Sequence, residues 1–130
     1  MTRERMIVQP SHGLLWVEAD PDAPYPDSME RRTFSSTDGT LYIAGQAPVD
    51  GETLLIVSTG DLGPEPGLDT SSPDYECRLS APTREVRIGG EPGSWYAIIA
   101  VESSVVNVRV FLDAPENPSV VGIEIRSGVE

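Results

Sequence analysis

Apolar residues along the chain come in short blocks in which every second position is hydrophobic. The clearest is Val106, Val108, Val110 and Leu112, with Asn107 and Arg109 among the positions between them. Val121, Ile123 and Ile125 alternate with Gly122, Glu124 and Arg126, and Tyr75, Cys77 and Leu79 alternate with Glu76, Arg78 and Ser80. A period of two puts alternate side chains on one face of an extended backbone, so each block predicts a half-buried β-strand. Further strands are predicted at 13–18, 40–46, 53–59, 84–88 and 94–102, about eight in all. Leu54 to Val57 and Tyr96 to Val101 are apolar at consecutive positions, which predicts central strands covered on both faces. Glu102-Ser103-Ser104 is expected to be the hairpin turn joining the strand that ends at Val101 to the strand that starts at Val105, making the two antiparallel neighbours.

Twelve glycines and twelve prolines are scattered through the 130 residues, and they leave almost no window long enough for an ordinary helix. One short helix is expected, capped by Asp27 with Glu30 three positions on, before Arg31 and Arg32. Short strands at regular spacing predict one all-β domain over 1–130, an antiparallel β-sandwich, with a small β-barrel as the alternative. Its core is expected to draw on Trp16, Leu41, Ile43, Leu55, Val57, Leu79, Val86, Ile88, Ile98, Val108, Val110, Ile123 and Ile125. Residues 60–74, GDLGPEPGLDTSSPD, have no periodicity and are dense in turn formers. They form a long loop, of a length that is usually functional or disordered.

Charge changes the picture from fold to partner. There are 21 acidic and 9 basic residues, net −12, which disfavours a direct grip on nucleic-acid phosphates. All nine basic residues are arginine, so an organism-wide bias is a competing source of the acidity. From Thr33 to Cys77 the acids Asp38, Asp50, Glu52, Asp61, Glu65, Asp69, Asp74 and Glu76 meet no basic residue in sequence, and one end of the molecule is expected to be more negative. Such a field attracts a basic protein and speeds its encounter. The residues expected to meet it are Asp61, Glu65, Asp69, Asp74 and Glu76, with Tyr25 and Tyr75 supplying contact area. The bland alternative is that the carboxylates keep a small β protein soluble and guard its edges.

Catalytic chemistry is hard to find. His12 is the lone histidine and no nucleophile elbow surrounds Ser11, so no triad is expected. Cys77, the lone cysteine, sits at an apolar alternation site and is expected to be a small core residue; a lone cysteine also forms no intrachain disulfide, and the cytoplasm is the expected compartment. Gly89-Gly90-Glu91-Pro92-Gly93 lacks the lysine of a phosphate-binding loop and is expected to be a hairpin turn. Asp20, Asp22 and Asp27 are weak calcium candidates, and Asp113 with Glu116 a weak glycosidase pair. The longest apolar run, Trp95 to Val101, is far shorter than the roughly 20 residues of a membrane-spanning helix. Met6 to Val8 is interrupted by Gln9 and Pro10, so neither a membrane partner nor an export signal is expected. No metal and no cofactor are expected.

The segments DGTLYIAG, ETLLIVSTGD, YECRLSAPTREVRIGGEPGSWYAIIAVESS, VVNVRVFLDA and VVGIEIR, in that order, resemble the bacterial competence-nuclease inhibitor (ComJ-like) family and related immunity proteins. The resemblance spans most of the chain and lies in strand order and turn placement, best in 93–112, where a glycine turn leads into an aromatic-aliphatic strand. It implies a non-enzymatic protein that binds and blocks a nuclease or toxin with a basic surface, and it carries no binding residue across. The rival expectations are a calcium- or sugar-binding sandwich and an accessory subunit of a larger assembly.

Overall fold

The computed structural model describes residues 3–9, 13–26, 33–44, 51–91, 94–114 and 118–128. Ten strands run in order: β1 (Arg3–Val8), β2 (Leu14–Glu18), β3 (Phe34–Ser36), β4 (Thr40–Ala44), β5 (Thr53–Thr59), β6 (Tyr75–Ser80), β7 (Glu85–Glu91), β8 (Ser94–Ala100), β9 (Val105–Leu112) and β10 (Val120–Ser127). They form two five-stranded sheets, β1-β5-β10-β9-β6 and β3-β4-β2-β7-β8. Every pairing is antiparallel except β5 with β10. The sheets stay open at their edges, so the fold is the sandwich and not the barrel. No helix occurs among the described residues; the expected helix after Asp27 lies outside them.

The alternation does what it should at the centre. Leu55, Val57, Val106, Val108, Val110, Val121, Ile123 and Ile125 of the first sheet face Leu15, Val17, Leu41, Ile43, Val86 and Ile88 of the second in one buried cluster. Burying each such side chain contributes roughly 1.5–3 kcal/mol. The prediction fails at two core positions. Trp16 pairs with Tyr42 and Gly89, between the buried Leu15 and Val17, and so lies on the outer face of the second sheet. Ile98 is 59% exposed.

Strand pairing departs from expectation in three places. β8 pairs with β7 in the second sheet, whereas β9 lies between β10 and β6 in the first. Val101 to Ser104 is therefore a corner between sheets and not a hairpin turn. It contains no glycine to supply the positive φ that tight two-residue hairpins need. Instead Ser103 Oγ accepts the Val105 amide at 3.1 Å, and the Ser104 carbonyl accepts Ala81 N at 2.7 Å. β8 is then an edge strand, not a central one. The third departure is one of extent: β7 and β8 are antiparallel neighbours, as a hairpin requires, but Gly89, Gly90 and Glu91 lie within β7, Pro92 and Gly93 lie outside the described residues, Glu91 stands opposite Ser94, and the register shifts at Gly89.

The two sides of the sandwich are closed differently. Where β3 overlies β6, Phe34 stacks on Tyr75 at 4.6 Å and 11°, and Ser36 Oγ and the Tyr75 hydroxyl lie 2.7 Å apart. Where β8 overlies β1 and β5, the sheets part around a cleft of about 550 Å³.

Candidate partner-binding face

Residues 60–74 leave the C-terminal end of β5 and cross the outer face of the first sheet to the N-terminal end of β6. Their path is fixed by apolar contact and by two buried carboxylates. Leu62 is fully buried with Ile56 and Phe111, and Leu54, Leu68 and Val120 pack around them. This loop explains why the consecutive apolar run of β5 is covered on both faces. Gly122 lies directly beneath: a Cβ there would stand 2.6 Å from Leu62 Cδ2 and 3.0 Å from Leu68 Cδ1.

The first carboxylate is Glu124, 3% exposed. Its Oε2 accepts the Leu62 amide at 2.8 Å, and its Oε1 faces Arg109 Nη1 at 3.3 Å and Arg126 Nη2 at 3.2 Å. The second is Glu65. Arg3 Nη1 and Arg5 Nη2 both donate to its Oε1, at 2.6 and 2.5 Å, and Arg3 Nη2 also donates to the Leu62 carbonyl. Strand register sets this up, because Arg3 is level with Ser58, Ser58 with Glu124, Glu124 with Arg109 and Arg109 with Glu76. Opposite charges on neighbouring strands of one face attract.

Of the residues expected to bind a partner, Glu65 is buried and consumed by Arg3 and Arg5. A carboxylate with 1% of its side chain accessible does not reach a partner's surface. Tyr75 is held inside the β3–β6 seam. Asp61 and Glu76 are exposed, with Arg126 donating to the first and Arg109 Nε to the second at 3.1 Å. Asp74 Oδ2 accepts the Leu112 amide at 2.7 Å. Asp69 stands on the exposed crest of the loop, where the hydroxyl and amide of Ser71 donate to it at 2.5 and 3.0 Å. Those hydrogen bonds hold its carboxyl below the usual carboxylate range. Tyr25, 47% exposed, belongs to the opposite side of the molecule, edge-on to Trp16 at 5.1 Å and beside Tyr42 at 6.4 Å. The set therefore divides between two faces.

Among the described residues the acids between Thr33 and Cys77 do not gather at one end. Asp38 lies between β3 and β4, at the same end as Asp20, Asp22 and Glu102, while Glu52 and Asp74 lie at the other end beside the starts of β5 and β6. Arginines from the first and last strands reach across to the acids of the loop. Sequence reading treated Glu124, Arg109 and Arg126 as a solvent face; the signal it lacked was the covering loop.

Among the described residues no group of three or more His, Cys, Asp or Glu is placed to hold a metal ion. Asp20 Oδ1 accepts the Asp22 amide at 3.0 Å; Asp27 lies outside the described residues, as do His12 and Glu116. For Asp113, burial works to raise the carboxyl, but Ser119 Oγ at 2.5 Å, with the Val120 and Ser119 amides, outweighs it and leaves it lowered. It closes the turn before β10. No described helix is long and apolar enough to cross a membrane.

Burial pushes the Cys77 thiol up to about 12, far from the roughly 8.5 of a free cysteine. At pH 8 its labelling by a disulfide reagent is expected to be at least about a hundredfold slower in the folded chain than in denaturant. Equal rates would show an accessible thiolate.

No protein-family model matches this sequence, and no curated protein matches it. In fold it is similar to the crystal structure of ComJ, inhibitor of the DNA degrading activity of NucA, from Bacillus subtilis. The TM-score is 0.62 at 9% sequence identity, over 96% of each chain. The resemblance expected from strand layout is thus present in three dimensions.

Proposed function

We propose that this chain is a non-enzymatic protein-binding module that inhibits a nuclease, acting as an immunity-type partner in the cytoplasm. The observation that carries the proposal is the likeness of fold, from end to end, to a protein that inhibits a DNA-degrading enzyme. A net charge of −12 suits a partner whose surface is basic because it handles DNA, and it speeds the encounter more than it tightens the complex. The contact groups are the exposed carboxylates Asp61, Asp69 and Glu76 on and beside the pinned loop. Tyr25 and Tyr75, on the far sheet and in the seam, share no surface with them.

The test is a DNA-degradation assay with a basic nuclease from the organism that makes this chain. Adding the purified chain is expected to stop cleavage at one equivalent, with a complex visible by size exclusion. With Asp61→Asn, Asp69→Asn and Glu76→Gln combined, association at low salt is expected to slow about tenfold and lose much of its salt dependence. Undiminished cleavage with no complex would overturn the proposal, and an unchanged association rate would remove these three groups from the interface.

A further inference from the structure

The geometry points to the outer edge of β8, with the cleft behind it, as a docking strip for an extended, arginine- or lysine-bearing segment of the partner, added to the second sheet as a further strand. This inference rests on the protein-binding function proposed above and adds to the loop carboxylates a second contact surface. It starts from the edges of the sheets. The β3 and β6 edges are stitched together by Phe34, Tyr75 and Ser36. The β1 edge carries Arg3, Glu4 and Arg5, the kind of charged guard that discourages strand addition. β8 carries no charged guard: its seven residues, SWYAIIA, include no charge and no proline, and its irregularity is confined to the register shift opposite Gly89, before Ala97. No described strand pairs with its outer side.

The side chains agree with the backbone. Ile98, the exposed large apolar residue of β8 at 59%, stands opposite Arg87 at the mouth of the cleft, which Ile99 and Val101 line with Val57 and Ile125. Beyond the register shift, from Ala97 to Ala100, the edge runs about 13 Å, enough to pair with a short extended segment. Its cleft is rimmed by Glu4 and Glu102, exposed carboxylates that form no ion pair among the described residues. Arg126, the cleft's basic residue, is engaged by Asp61 and Glu124. An incoming strand thus meets backbone, then apolar wall, then unpaired negative charge, and alternating apolar and basic residues satisfy all three. A second copy of this chain fits poorly, because each copy brings a charge of −12.

The probe is a capped twelve-residue peptide alternating arginine with valine, compared with its glutamate-valine counterpart and with a form N-methylated at alternate amides. The arginine-valine peptide is expected to bind at least tenfold tighter than either control and to slow amide exchange across 94–100 at least tenfold. Ile98→Lys, at an exposed position that leaves the fold intact, and the pair Glu4→Gln with Glu102→Gln are each expected to weaken binding severalfold. Equal binding of the N-methylated peptide, unaltered exchange in β8, or concentration-dependent protection of β8 without peptide would each overturn the docking strip. The nuclease assay separates the two proposals. Inhibition of the nuclease with β8 exchange unchanged in that complex overturns the strip alone; peptide captured on β8 by a chain that inhibits no nuclease overturns the nuclease function alone.

Discussion

Replacing Glu124 with alanine will detach residues 60–74 from the first sheet and lower the unfolding free energy by about 3 kcal/mol. The size follows from what the carboxylate does. It is nearly inaccessible, it is the acceptor for the Leu62 amide, and it faces two guanidinium groups. Removing one member of a buried ion pair costs roughly 3–5 kcal/mol when the other is left stranded. Arg109 and Arg126 keep 27% and 41% of their side chains accessible, so water recovers part of the loss and the lower end applies. Leu62 then lacks its polar anchor, and the small apolar cluster over Ile56 and Phe111 loosens with it. Glu124→Gln keeps an acceptor for the Leu62 amide and removes the charge, so it is expected to cost about half as much. Urea denaturation followed by circular dichroism measures the stability, and limited proteolysis within 60–74 reports the release. A variant as stable and as protease-resistant as the parent would show that Leu62, Leu68 and the Glu65 ion pairs hold the loop without Glu124. The effect reaches function, because Asp61 and Asp69 are carried by this loop.

The same pair of residues shows how far sequence reaches. Apolar blocks, several of them alternating with period two, located eight of the ten described strands because burial on one face of a sheet is a local property of the chain. It overlooked β1, in which Arg3, Glu4 and Arg5 occupy half the strand, and β3, whose three residues are too short to alternate. Which sheet a strand joins is not local. Val101 to Ser104 looked like a hairpin turn because both flanks alternate, yet alternation is identical whether the next strand lies beside its predecessor or across the core. The acidic stretch from Thr33 to Cys77 misled for a related reason. No arginine lies within it, but β1, β9 and β10 bring Arg3, Arg5, Arg109 and Arg126 over to Glu65, Glu76 and Asp61. Counting charge along a chain finds neighbours by bond, and strand pairing makes different ones. What remained legible of the candidate site was the residues no strand could neutralise internally. Asp69 is exposed and forms no ion pair among the described residues and, as its Ser71 hydrogen bonds lower its carboxyl, it stays charged into acid solution.

At the other end of the range of glycine substitutions, Gly89→Ala is expected to cost about 3 kcal/mol and to lower the melting temperature by about 10 °C. An added Cβ would lie 2.3 Å from the Ser94 carbonyl oxygen, 2.8 Å from Trp95 Cε3 and 3.1 Å from the Ser94 carbonyl carbon. Two of these atoms are backbone of the paired strand, so the strain is not relieved by turning a side chain. It has to be relieved by parting β7 from β8 where their register already shifts, which shortens the ladder and displaces Trp95. Gly67→Ala is the control that separates crowding from backbone torsion. Gly67 has a φ of 84°, which alanine adopts at a cost of roughly 1 kcal/mol, but its nearest obstacle is Val120 Cγ2 at 3.9 Å. Thermal denaturation of both variants therefore ranks the two causes. If Gly89→Ala proves no more harmful than Gly67→Ala, the bulge between β7 and β8 is soft. If it is several times more harmful, β8 is held rigidly by β7, and the same variant is expected to lose the arginine-valine peptide, because an edge can template a new strand only while its own inner pairing is intact.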